Sequence, residues 1–268
     1  MKNIRKHKWI AAMVLIVCLA LLPAMAEGES LDAIGKIEAK VGEYITFGHY
    51  EQDNKQENGP EPIEWLVMDI RDGKAFVISR YGLEPISIHN TNEEATWETC
   101  DLRAWLNGEF MEIAFTDAEC ARIPVTAVKA HKDPNADKDD YPKDIDPGND
   151  TQDQIFVLSA VEIKQYFGGE KARVCKATAY AIAKGAKVYE KNYSAVRLPN
   201  PRSEKEESDP GYCFWWLRSP GVVNGSFAYA SYNGGYFWSD DLEHSNHFTT
   251  EFGCGVTVRP AMWIELGN

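Results

Sequence analysis

The chain is short of positive charge: 28 Lys+Arg stand against 41 Asp+Glu in 268 residues, a formal charge of −13. A polyanion needs a basic face, so nucleic-acid binding is excluded as a function class and an anionic membrane surface is disfavoured. Several sequence signatures of catalysis are absent too. There is no G-x-S-x-G elbow, no P-loop and no dinucleotide fingerprint, and His244-x-x-His247 has no third ligand at a zinc-like spacing. Long apolar runs are confined to one place, residues 9–22.

That run follows Lys2, Arg5, Lys6 and Lys8 and precedes Pro23-Ala24-Met25-Ala26 and the acidic Glu27-Gly28-Glu29. Basic, apolar and small-residue zones in that order read as a secretory signal peptide, residues 1–26, with cleavage after Ala26. A retained anchor is the competing reading, because the run is only slightly short of the roughly 20 residues that span a bilayer. Cleavage would leave 24 bases against 41 acids, a charge of −17, and five cysteines in 242 residues. The expected product is secreted or on the cell surface, without membrane attachment once cleaved. Residues 27–41 read as a linker and 42–268 as a single domain, a length that supports a core without disulfides.

Strand-like runs are expected at residues 43–50, 62–70 and 74–81, the last two joined by the hairpin pair Asp72-Gly73. Leu102, Trp105, Leu106 and Phe110 recur at helical spacing, with Thr99 or Asp101 as caps. A short helix is expected at 116–122 and a strand at 124–129. Ser159 with Glu162 forms a capping-box pattern opening a helix to about Phe167, and a further helix is expected over 173–184, ended by Gly185. Eight aspartates and three prolines between Lys129 and Asp153 indicate a long solvated loop, and their spacing does not fit an EF-hand.

The C-terminal block is the densest in aromatics. Asn233-Gly234 suggests a two-residue type I′ turn that would pair Tyr229 with Trp238 and Ser231 with Tyr236. The resulting aromatic face, with Asn233, Asp240 and Asp241 as polar partners, has the mixture that a sugar ring requires. Aromatic residues at such spacing serve as core at least as often. Arg103, Arg218 and Arg259 lie near Trp105, Trp215, Trp216 and Trp263. Guanidinium groups there either receive anions or stack on indoles and pair with acids such as Glu64 or Asp101, and the structural role is the better reading of Arg218 and Arg259.

The blocks I-T-F-G-H-Y (45–50), I-E-W-L-V (63–67), T-W-E-x-x-x-L-R-x-W-L-N (96–107), T-Q-D-Q-I-F-V-L-S (151–159), W-W-L-R-S-P-G (215–221) and G-V-x-V-R-P-A (255–261) resemble, in order and wording, a family of secreted bacterial proteins that carry a domain of unknown function. The last two blocks are also similar, more distantly, to the C-type lectin-like fold of formylglycine-generating-enzyme-like and retroelement-diversified proteins. The resemblance implies an α+β fold of C-type lectin-like type, with mixed, largely antiparallel sheets, a few helices and long irregular loops. It implies a non-catalytic module recognising carbohydrate, peptide or protein through its C-terminal loops. The lectin motifs for calcium-dependent sugar binding are missing, Trp238-Ser239-Asp240-Asp241 being only an echo, so no metal and no cofactor are expected. Formylglycine-generating enzymes hold copper between two close cysteines, whereas only Cys254 lies in the corresponding region; a degenerate enzyme of that type, or a structural envelope protein, is the alternative. Cys213 and Cys254 flank the C-terminal hairpin and are expected to be adjacent or bonded, the other outcome being five buried thiols.

Overall fold

The structure, a computed structural model, describes residues 35–91, 93–131, 145–189, 211–222, 224–238 and 255–267. It is a mixed α/β fold whose sheets are mostly antiparallel, with a few short helices. The expected meander opens it: β1 (Tyr44–Tyr50), β2 (Glu61–Arg71) and β3 (Lys74–Ser79). Ile63, Trp65 and Val67 alternate along β2 and are fully buried, while Leu66, Met68 and Ile70 are half-covered. Asp72 and Gly73 both take positive φ, 49° and 71°, as a type I′ turn requires, and Arg71 registers with Lys74 across it.

The first sheet has the order β1-β2-β3-β12-β7, with β7 at Ile155–Phe156 and β12 at Ala261–Glu265, and all its pairs are antiparallel. The last strand therefore enters the middle of a sheet begun by the first. The second sheet has the order β10-β9-β8-β11-β4, formed by β4 (Glu84–Pro85), β8 (Trp215–Pro220), β9 (Phe227–Ala230), β10 (Tyr236–Trp238) and β11 (Thr257–Val258). Its β8–β11 pair is parallel and the others antiparallel. A separate antiparallel ribbon joins β5 (Thr126–Val128) to β6 (Thr151–Asp153).

Two short steps carry the chain directly from one sheet to the other. Ser79 ends β3 and Glu84 starts β4. Val258 ends β11, Arg259-Pro260 makes the step, and Ala261 starts β12. The crossings are tied to each other: Ser79 N–H donates to Pro260 O at 2.9 Å and Leu83 N–H to Val258 O at 3.0 Å. Tyr50, at the end of β1, donates its hydroxyl to the Glu84 carboxylate, a further bond between the sheets. One continuous core fills the interior, with Trp65, Trp97, Trp215, Trp216 and Phe110 its largest fully buried side chains. Within the segment read as linker, Ile37 donates its amide to Leu266 O, and Ile37 and Ala39 pack against that core.

Of the expected helices, α1 (Asp101–Leu106), α2 (Glu109–Ala114) and α3 (Asp117–Cys120) follow the 3.6-residue pattern. Neither Thr99 nor Asp101 caps α1, whose N-cap position is held by Cys100 without a side-chain bond. The capping box at Ser159 and Glu162 is present, opening α4 (Ala160–Tyr166). The single helix expected over 173–184 is instead two, α5 (Glu170–Arg173) and α6 (Ala179–Ala183). Residues 176 and 177 between them are drawn into ladder contacts with Tyr212 and Gly82, and Thr178 then caps α6 through the Ala181 amide. Tertiary pairing overrides helical propensity over this stretch.

The C-terminal hairpin differs from the expectation by one residue. Its register pairs Tyr236 with Ala230, Phe237 with Tyr229 and Trp238 with Ala228. Asn233 does not take positive φ. The Gly234 amide donates to Ser231 O at 2.9 Å, Ser231 N–H donates to Gly235 O at 2.7 Å, and Gly234 has φ +82°. This is a three-residue connection, a tight turn followed by a left-handed glycine, and the extra residue shifts the register. A β-carbon on Gly234 would lie 1.8 Å from Glu170 O, so the turn also docks against the start of α5. Gly234→Ala should therefore cost about 3 kcal/mol from strain and overlap together. Gly73→Ala, with positive φ but open space, should cost about 1 kcal/mol. Urea unfolding of the two variants checks the order.

Candidate functional site: an aromatic strip on the second sheet

The three arginines singled out in the sequence are held inside the fold. Arg218 donates through Nη1 and Nη2 to both carboxylate oxygens of Glu162, at 2.5 and 2.7 Å, and through Nη1 to Val157 O at 2.7 Å, while its guanidinium lies 5.4 Å from the Phe156 ring. Ser219 Oγ accepts from the Ala160 amide, so β8 holds the first turn of α4 twice. Arg103 donates through Nε to Asp153 at 2.6 Å and through Nη1 to Glu98 O. Asp153, nearly inaccessible, also accepts from Trp97 Nε1 at 3.0 Å and Thr151 Oγ1 at 2.6 Å. Neither arginine pairs with Glu64 or Asp101: Glu64 binds Arg80, and Asp101 accepts from the Asn90 amide and contacts His89. Arg259 donates through Nε to Ser79 O at 2.8 Å and stacks 5.1 Å from Trp215 and 5.6 Å from Phe167. Trp215 and Trp216 are buried and donate their indole N–H groups to Arg173 O and Ile86 O; Trp105 is half-buried against Phe110.

Of the residues expected to face a ligand, Tyr229 is half-exposed and packs edge-on against Phe214 and Trp216. Asn233 is exposed, and its Oδ1 accepts from the Gly235 amide, so it shapes the turn. Tyr236 and Trp238 occupy register positions alternate to that of Tyr229, which pairs with Phe237. Asp240, Asp241 and Cys254 lie outside the described residues. The aromatic set expected on one face is therefore not brought together in register.

A different aromatic set is. Along residues 212–215 the pattern alternates, with Tyr212 and Phe214 half-exposed and Cys213 and Trp215 buried. The outward positions carry rings where a solvated strand would carry polar side chains. Tyr232 lies edge-on to Phe214 with centroids 5.5 Å apart and stacks on Tyr189 at 4.9 Å and 22°; Phe214 lies edge-on to Tyr229 at 5.9 Å. All four rings are half-exposed. Burial, and then the neighbouring Tyr189, raise the Tyr232 hydroxyl above its ordinary value, so it stays protonated and able to donate at neutral pH. The strip thus offers ring faces with phenolic hydroxyls at the rim. Tyr189, Phe214 and Tyr232 were not among the residues expected to face a ligand. The alternation from Tyr212 to Trp215 was the available signal.

Two other features are less suited to ligand recognition. Glu51, Asp53 and Glu61 place carboxylate oxygens within 4.8 Å of one another, but Glu61 accepts from the amides of Gln52 and Asp53, and Asp53 from that of Lys55. A cleft of about 260 Å³ beside β12 is lined by Arg71, Lys74, Val125 and Trp263, with Arg71 engaged by Asp69 and by the Trp263 ring.

The Arg218–Glu162 pair sets the rigidity under the strip and yields a pH prediction. Burial opposes ionisation of Glu162, but the Arg218 guanidinium and the Ser159 bonds outweigh it and hold the carboxyl below its ordinary 4.5. The folded state takes up this proton less readily than the unfolded chain, so the stabilisation is full above about pH 5 and is lost as pH falls through the lowered value. Glu162→Gln should cost about 3 kcal/mol at pH 7, since it leaves a buried guanidinium without its counter-charge. The difference from the unsubstituted protein should shrink steadily below pH 4.5 in denaturant titrations.

Among the described residues, no helix is long and apolar enough to cross a membrane. No curated protein and no solved structure matches the chain. A family model does, over residues 72–266, which takes in the two short steps between the sheets and the blocks from 96 to 261, while those at 45–50 and 63–67 precede it. The chain belongs to the DUF6273 family, a domain of unknown function.

Proposed function

We propose that this protein is a secreted or surface-exposed, non-catalytic ligand-binding module, and that its domain has the C-type lectin-like architecture. Two sheets joined by strand crossings, with long connections around the second sheet, support that architecture. The observation that carries the binding role is the half-exposed cluster of Tyr189, Phe214, Tyr229 and Tyr232 on a sheet whose Arg218 and Arg259 are buried inside the fold. Exposed rings held in place by a core lose little entropy on binding. A pyranose presents an apolar face to such rings and a hydroxyl rim to the phenols, so carbohydrate is the ligand class that fits best; an extended peptide would use the same surface.

The enzyme alternative requires thiols or a metal that a substrate can reach. Cys175 and Cys213, which lie together, are 2% and 0% exposed. Tyr232→Ala and Tyr189→Ala should each weaken glycan binding about tenfold, the worth of one stacked ring, and lower stability by less than about 1 kcal/mol. Glycan and peptide arrays followed by calorimetry on the positive ligand provide the measurement. Binding that survives both substitutions, or stoichiometric copper lost on Cys254→Ala together with thiol-oxidising activity, would overturn the reading.

A further inference from the structure

Cys175 and Cys213 face each other across a short antiparallel ladder that joins the segment between α5 and α6 to the start of β8. Lys176 bridges Tyr212, Cys213 N–H donates to Cys175 O at 2.8 Å and Ala177 N–H to Gly211 O at 3.0 Å. That pattern makes Lys176–Tyr212 the pair without mutual hydrogen bonds and puts Cys175 directly opposite Cys213. Facing Cα atoms at such a position stand about 5.5 Å apart, inside the range a disulfide spans. Cys175 Sγ donates to Arg80 O at 3.6 Å and to Lys176 O at 3.5 Å, and Cys213 Sγ lies 3.3 Å from Cys175 O and from Thr257 Oγ1. Both are thiols in this structure, and so are Cys100 and Cys120. The expected partner, Cys254, lies outside the described residues.

We propose that Cys175 and Cys213 form the structural disulfide of the exported protein. A second observation points to the same pair. Arg259 Nη1 is buried and has no hydrogen-bond partner among the described residues, while the guanidinium charge acts on both sulfurs. Burial opposes ionisation of Cys175, but the hydrogen bond from Cys213 and the Arg259 charge bring its thiol below the ordinary value; burial and the neighbouring Cys175 push the Cys213 thiol up. Before the core closes either thiol can attack first, and one order begins at Cys175. The Cys175 thiolate displaces one thiolate from an external disulfide, such as that of an envelope oxidoreductase or oxidised glutathione. Cys213 then gives up its proton to solvent and attacks the Cys175 sulfur, releasing the second thiolate. Two protein thiols are oxidised and one external disulfide is reduced to two thiols. Because the folded pair is inaccessible, exchange takes place during folding, before the core closes over it.

The setting, though not the geometry, rests on the export reading, and the test separates the two. The full chain, expressed with its own N-terminal segment in a bacterial host, is alkylated with N-ethylmaleimide in denaturant and divided: one half is digested and mapped by mass spectrometry unreduced, the other is reduced and labelled with iodoacetamide before mapping. The expected result is a Cys175–Cys213 linked peptide, with Cys100 and Cys120 carrying the first label. Protein found in the envelope with Cys175 and Cys213 both first-labelled, or Cys213 linked to Cys254, overturns the proposal. If the chain stays in the cytosol, the export reading fails, and refolding in a glutathione redox buffer decides the geometry: no bridge there also overturns it. Reduction should lower the Tm by roughly 10 °C. Cys175→Ala, Cys213→Ala and the double variant should fall to the same Tm, whereas additive losses would mark two independent packing residues.

Discussion

Arg259 is a buried cation with no paired carboxylate among the described residues, and both sheets meet around it. Its Nε is bonded to the last carbonyl of β3, its guanidinium lies between Trp215 of β8 and Phe167 after α4, and it occupies the step from β11 to β12. Pro260 follows, a residue without an amide to satisfy where the chain leaves one ladder for the other. The two crossings are bonded to each other by Ser79 and Leu83, so the relation between the sheets is fixed at this point. The arginine is retained without an acid because two ring faces and a carbonyl replace solvent around it.

The remaining shared motifs serve the same end. Asp153 gathers Trp97, Arg103 and Thr151, while Asn107 accepts from the amides of Gln154 and Ile155 and donates to Ile155 O, bolting α1 to the 151–155 segment. Ser159, Glu162, Arg218 and Ser219 bolt α4 to β8. These are internal polar networks in a low-dielectric setting, where each bond is strong only because every partner is present. These side chains serve the scaffold, and the half-exposed rings lie on the outward positions of the second sheet.

Local signals were legible where the chain decides its conformation locally. The meander, the Asp72-Gly73 turn, the capping box at Ser159 and the helical spacing at 102–110 all follow from periodicity or from a single side-chain bond. What was not legible depends on partners distant in sequence. Residues 175–177 have helical neighbours but are claimed by Gly82 and Tyr212. Asn233-Gly234 has the wording of a type I′ turn, yet contact with Glu170 accompanies a wider connection and a one-residue slip. The acids expected for the arginines, Glu64 and Asp101, are engaged by Arg80 and by the Asn90 amide and His89, whereas the acids that Arg103 and Arg218 bind, Asp153 and Glu162, lie some fifty residues from them. The mixed sheet class was readable; which rings shared a face was not.

The position of β12 bears on when the protein can fold. This strand lies between β3 and the edge strand β7 of the first sheet, and it is reached through the Arg259 step that also completes the second. Until those residues are available, β3 has an open edge and Trp215 lacks its cation, so neither sheet can close. Contacts between the two ends of a chain are slow to form. Closure of both sheets therefore depends on one long-range event, the seating of β12 against β3, and not on the local hairpins around it.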